Sequence, residues 1–119
     1  MSPTQRSLKW CRDRAMTAFI VERWNHHSRI RQDGLGFIDL IYLDGTKTVA
    51  CQTTSGSNVS ARVAKIKAEK RALDWLESPH RMIVVHGWRK IGPRGKRKTW
   101  QLREVWLVLE DGRIVDDSE

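Results

Sequence analysis

Asp39 and Gln52 are polar residues inside two otherwise apolar runs, 37–43 and 48–53, and a plain core strand would need neither. The runs flank Asp44-Gly45, a dipeptide that favours a tight hairpin turn. Antiparallel pairing through that turn sets a carboxylate and an amide near each other at one end of the hairpin. Ser57 and Asn58, both good helix N-caps, come directly afterwards. A carboxylate, an amide oxygen and a helix N-terminus converging on one sheet end have the makings of a site for a hard metal ion and a phosphate. Plainer roles exist for the same residues. Asp39 can be a structural acid paired to an Arg, and Gln52 a satisfied core amide. Thr53, Thr54 and Ser55 can do no more than shape the strand-to-helix turn.

Periodicity supplies the elements around them. Ser2-Pro3 predicts a helix start, and Leu8, Cys11, Ala15, Phe19 and Glu22 then share one helix face at spacings of three and four. Trp10, Met16, Ile20 and Trp24 cover much of the remainder, so this helix runs to Asn25-His26-His27-Ser28 and is buried on more than one side. Glu22 is either a site-facing acid or a rim residue paired to Arg23 or Arg29. Residues 28–33 alternate briefly, as a first edge strand does. The run holding Asp39 is apolar on both faces, as a central strand is.

Val59, Val63, Ile66, Leu73 and Leu76 mark the stripe of a second helix, which Ser78-Pro79 stops. Arg62 and Lys65, three apart in its first turns, point in a similar direction, and Lys65 is either a solvated lysine or a site lysine. Residues 81–91 read as a strand, 92–98 as a basic loop and 100–109 as the last strand. Asp111-Gly112 then turns into an acidic tail, 111–119, expected to fray. This order predicts an α/β fold, a small mixed sheet flanked by helices in three layers.

At 119 residues the chain, 1–119, makes one domain. No apolar run approaches the length of a membrane span, and no signal-peptide pattern comes after the first residues. Cys11 and Cys51 are isolated, and adjacent His26 and His27 cannot both reach one metal from a helix, so zinc is not expected. Free thiols suit a reducing cytoplasm. The net charge is +8 and the pI about 10.1, which points to a polyanionic partner. Between 81 and 103 there are eight Lys or Arg and no Asp or Glu, with Trp88 and Trp100 interleaved. The alternative is a solvated basic face that serves solubility alone.

The element order, with an Asp on a strand and Gln52-Thr53-Thr54 on the next, resembles the PD-(D/E)XK nuclease superfamily, the restriction-endonuclease-like fold, over roughly residues 22–88. Within it, small Holliday-junction-resolvase-like phage and archaeal proteins look most similar. The resemblance implies that Asp39 matches the first motif acid, with Ile38 where the family often has Pro. Gln52 stands at the second acid and Thr54 at the lysine. Glu22 matches the acid that some members carry on their first helix, and Arg31 a basic residue of the first strand. Gln52 is neutral and offers one amide oxygen, and Thr54 has no cation, so Lys65, or else Arg62, on the following helix is where the displaced lysine is sought.

The same resemblance implies a Mg²⁺- or Mn²⁺-dependent endonuclease acting on DNA, with branched DNA among its candidate substrates. It would work as a homodimer in the cytoplasm of a bacterial, archaeal or phage-infected cell. Asp39, Gln52 and Glu22 would hold the metal, and Lys65 would contact the phosphate or orient the water, with Thr54 beside it. Ser55 and Asn58 would hold a neighbouring phosphate. Arg31, Arg62, Arg89, Lys90, Arg94, Lys96, Arg97 and Lys98 would track the nucleic-acid backbone. Trp88 or Trp100 could stack on an exposed base, though at least one is expected in the core. A second reading keeps the fold but loses the chemistry, leaving a module that binds nucleic acid without cutting. A third is a basic accessory protein that acts on another protein.

Overall fold

The computed structural model describes residues 1–117. Helix α1 spans Pro3–Asp13, with Ser2 accepting a hydrogen bond from the Gln5 N–H as its N-cap. Three short strands come next, β1 (Ala18–Ile20), β2 (Arg23–Asn25) and β3 (Ile30–Gln32). The hairpin is β4 (Leu40–Asp44) and β5 (Lys47–Ser55). A 3₁₀ turn, Gly56–Asn58, leads into α2 (Val59–Lys67) and α3 (Lys70–Trp75). The chain closes with β6 (Arg81–Ile91), β7 (Thr99–Glu110) and β8 (Arg113–Asp116). Among the described residues no helix is long and apolar enough to cross a membrane.

Six strands form one mixed sheet in the order β1-β4-β5-β6-β7-β8, and only β5 and β6 run parallel. Strand alternation sends residues to both faces. Leu40, Tyr42, Val49, Cys51 and Val84 meet Leu8 and Cys11 of α1, whereas Ala50, Ile83, Val85 and Leu107 meet Val59, Val63 and Ile66 of α2. The sheet is thus covered by helices on both sides, as its apolar central strands require. At Gly87 the start of α2 sits so low on β6 that an added Cβ would clash with Val59 Cγ2.

The expected first helix is cut short. It ends after Asp13 because Ala15 takes a left-handed conformation (φ 58°), with Ala15 N–H bonding Arg12 O and Met16 N–H bonding Cys11 O. This is the usual helix-ending pattern, built on an alanine where a glycine would have announced it. The buried face of α1 is therefore Thr4, Ser7, Leu8 and Cys11. Phe19 lies on β1, and Glu22 comes after that strand instead of riding a helix. The histidine stretch is the turn of a β2–β3 ribbon, which pairs with itself and not with the main sheet. The second helix is broken at Glu69, whose backbone is extended (ψ 114°).

The expected frayed tail is also corrected over 113–116. Asp111 and Gly112 both have positive φ, a type I′ hairpin turn, and return the chain as β8 with Ile114 buried in the core. The last two residues of that tail lie outside the described residues.

Candidate metal centre

The β4–β5 turn sets the geometry of the site. Asp44 lies opposite Lys47 and Leu40 opposite Cys51, so the register brings Asp39 opposite Gln52. Asp39 N–H bonds Cys51 O at 3.0 Å, and Asp39 O in turn accepts Val21 N–H at 2.9 Å and Glu22 N–H at 3.3 Å. Glu22 is thereby fixed beside Asp39 by backbone, across the β1 edge. A third acid arrives from the β3–β4 connection. Gly34 and Ile38 exchange hydrogen bonds at 2.7 Å, and Leu35 and Gly36 have positive φ, which folds Asp33 back over Asp39. Glu22, Asp33 and Asp39 each place a carboxylate oxygen within 4.8 Å of the others.

Three donors converge on one oxygen of the buried Asp39. Its Oδ2 accepts from Gln52 Nε2 at 2.8 Å, Thr53 N–H at 2.7 Å and Thr53 Oγ1 at 3.2 Å. Thr53 Oγ1 is also 2.7 Å from Thr4 Oγ1, so the first turn of α1 braces the site. Burial first, and then the neighbouring Asp33 and Glu22 carboxyls, push the Asp39 carboxyl up to about 8, against the pull of the Thr53 N–H. Gathering three acids in one partly desolvated place is costly, and no group among these donors carries a full positive charge.

Gln52, only 2% exposed, occupies the centre of this arrangement. Its Nε2 donates to Asp39 Oδ2 and, at 3.3 Å, to Asp33 Oδ2, so an amide NH₂ lies between two carboxylates. Its Oε1 is buried with no hydrogen-bond partner. A half turn of the amide exchanges these two atoms and aims the oxygen at the acids.

An open cleft of about 1000 Å³ surrounds the cluster. The expected Asp39, Gln52, Glu22, Thr54, Ser55, Arg31, Arg62 and Lys65 all line it. Lys65 Nζ is 3.4 Å from Asp33 Oδ2 and Arg31 Nη1 3.6 Å from Glu22 Oε1, so two cations stand at the acidic rim. Asn58 is not brought in. Its side chain donates to Ser55 Oγ at 3.1 Å, and it makes no capping bond to α2.

Arg89 and Lys90 line a neighbouring depression with Ser55, Gly56, Ser57, Trp88 and Trp100. Lys96, Arg97 and Lys98 line the next one with Lys90 and Trp100, and Arg94 is exposed in the same loop. Ser55 belongs to both cleft and depression, which joins the acidic site to the basic loop. Trp88 is a core residue, whereas Trp100 is 44% exposed under the Arg6 guanidinium, 3.6 Å from its ring centre.

Asp33 and Thr4 are site residues that nothing in the sequence pattern singles out directly. The Gly-x-Gly after Asp33 signals a turn, and a turn there could have flagged a carboxylate folded back toward Asp39. Compared with known protein-family models, curated proteins and solved structures, the chain matches none.

Proposed function

We propose that the chain is a Mg²⁺- or Mn²⁺-dependent endonuclease that hydrolyses phosphodiester bonds in DNA, in keeping with its resemblance to PD-(D/E)XK nucleases. The observation that carries this reading is the convergence of Glu22, Asp33 and Asp39 around Gln52, whose buried amide oxygen has no partner. Three carboxylates and an amide oxygen are the hard, oxygen-only donors that Mg²⁺ and Mn²⁺ favour. A cation there would also relieve the carboxyl crowding that raises Asp39.

In this reading Asp39, Asp33, Glu22 and, after its amide turns, Gln52 hold the ion. When bound, such an ion neutralises charge on the scissile phosphate and acidifies a water. Thr53, steadied by Thr4, keeps Asp39 Oδ2 in place. Lys65, on the cleft wall, faces the phosphate or the attacking water and takes the part that Thr54 has no charge to play. Arg31 and Arg62 draw the backbone into the cleft, and the basic loop extends that attraction past Ser55.

A second reading rests on the Gln52 amide itself. Because Nε2 already donates to both Asp39 and Asp33, the acids are partly satisfied without an ion, which suits a module that binds nucleic acid without cutting it. Cleavage of labelled duplex, single-stranded and four-way-junction DNA with Mg²⁺, Mn²⁺ or EDTA separates the two. Metal-dependent cutting that falls at least about a thousandfold in Asp39→Ala, with DNA affinity nearly intact, is the expected result. Cutting that persists in the variant rules out this site. Tight binding with no cutting under any condition selects the second reading.

A further inference from the structure

The β2–β3 ribbon stands apart from the rest of the molecule in three ways. It hydrogen-bonds to no other strand among the described residues. From Arg23 to Gln32 it carries Arg23, Arg29, Arg31, His26 and His27 and no acid. It also leaves Trp24 49% and Ile30 53% exposed, although an isolated two-stranded ribbon is marginal and gains most by turning such side chains inward. A basic ribbon with an uncovered indole has the chemistry of a surface that meets a polyanion with flat or methyl-bearing groups.

Position adds direction. Arg23, Arg31 and Gln32 line the acidic cleft, so the ribbon rises from its wall. On the far side the surface continues through Ser55 to Arg89 and Lys90 on the β6–β7 hairpin. Two basic hairpins therefore flank the acids. The radius of gyration, 14.8 Å, exceeds the roughly 13.5 Å of a compact chain of this length, as projecting arms would make it.

We propose that the β2–β3 ribbon inserts into the major groove of B-form DNA whose backbone crosses the acidic cleft. This rests on the phosphodiester reading and narrows its substrate to duplex DNA at the ribbon side. The groove is decided by size. A two-stranded ribbon fits the major groove of B-DNA, about 12 Å wide, and not the minor groove, about 6 Å wide. The deep, narrow major groove of A-form RNA excludes it as well. Trp24, opposite Arg31 in the ribbon register, and Arg29 at the turn are the residues placed to enter.

The test uses the full chain carrying Asp39→Ala, so that no strand is cut, and compares a DNA duplex with an RNA duplex of the same sequence. Affinity and protection of guanine N7, a major-groove atom, are read together. Trp24→Ala with Arg29→Ala should weaken DNA binding about tenfold and remove N7 protection beside the cleft, leaving weak RNA binding unchanged. Arg29→Lys alone should retain most of the protection. Neutralising Lys96, Arg97 and Lys98 should instead weaken both duplexes and flatten the salt dependence. Unchanged N7 protection in the ribbon variant, or protection confined to minor-groove atoms, overturns the inference while the loop variant still upholds nucleic-acid binding. Absence of DNA binding by every protein overturns the parent reading together with it. Circular dichroism of the ribbon variant guards against misfolding, which is not expected from two exposed side chains.

Discussion

Two buried polar clusters hang from the same face of α1, and they are built on opposite principles. One runs from Thr4 through Thr53 to Asp39. The other runs from Ser7 to His86 and Trp88. The Trp88 indole N–H can only donate, so Ser7 Oγ accepts it at 2.9 Å and turns its own proton on His86 Nδ1 at 2.8 Å. His86 Nε2 then lies 3.3 Å from Glu104 Oε1, but no hydrogen bond of good geometry reaches this buried nitrogen. Trp10 and Trp88 pack edge-on to the His86 ring.

In the Ser7 cluster donor and acceptor alternate from Trp88 to His86 Nδ1, His86 Nε2 is left unpaired, and a single acid, Glu104, stands at the end. In the Asp39 cluster three acids crowd together and the neutral Gln52 amide stands between two of them. The second arrangement raises the Asp39 carboxyl, whereas the first sets no acid against another. Each cluster leaves one buried polar atom unpaired, Gln52 Oε1 in one and His86 Nε2 in the other, so the crowding of acids is what sets the Asp39 cluster apart.

Substitutions should separate the clusters, and the loss of cleavage that the proposed function expects of Asp39→Ala is the largest effect. The next is a pH dependence in EDTA. Asp39, raised from 3.8 to about 8, keeps its proton in the folded chain after the unfolded chain has released it. The folded state then binds more protons, so stability is full below about pH 4 and falls as the pH rises toward 8. Urea unfolding should lose on the order of a few kcal/mol across that window, and Asp39→Asn should flatten the curve. A flat wild-type curve would mean that the acids are not crowded in solution.

Ser7→Ala should reverse the pattern. It strands the Trp88 indole and His86 Nδ1 together, a loss of roughly 2–4 kcal/mol in unfolding free energy, while cleavage per folded molecule stays unchanged. A comparable loss of specific activity would show the two clusters to be one. The smallest effect sharpens the comparison. Gln52→Glu adds a fourth carboxylate and should tighten Mg²⁺ binding about tenfold by calorimetry, at some cost in stability without metal. Weaker binding would argue that the amide, not a metal, completes the site.

What was legible in the sequence depended on how local the cause was. Asp39 beside Gln52 comes from one turn and its register. The 81–91 strand was legible end to end, because its apolar run and the flanking turns agree. The end of α1 was hidden, since Ala15 does the work of a glycine at the cost of a left-handed backbone. Strand β8 was hidden because only Ile114 of its four residues is buried. Asp33 and Thr4 were hidden for a different reason, as each meets the site through tertiary folding that no short window contains.

The separations of these contacts along the chain bear on the order of assembly. Asp39 and Gln52 are 13 residues apart, whereas Thr4 and Thr53 are 49 apart and Ser7 and His86 are 79 apart. Hairpins close within microseconds, and distant contacts wait on costlier loop closure. The acid and its amide should thus meet before α1 docks, and Glu22 and Asp33, 17 and 6 residues from Asp39, should join them early, so the crowding of the three acids is felt while the chain is still folding. Relieving it with Asp39→Asn should therefore speed folding more than it slows unfolding in stopped-flow experiments, and an unchanged folding rate would place the crowding late. The carboxyl crowding around Asp39 would then also set how quickly the chain reaches its fold.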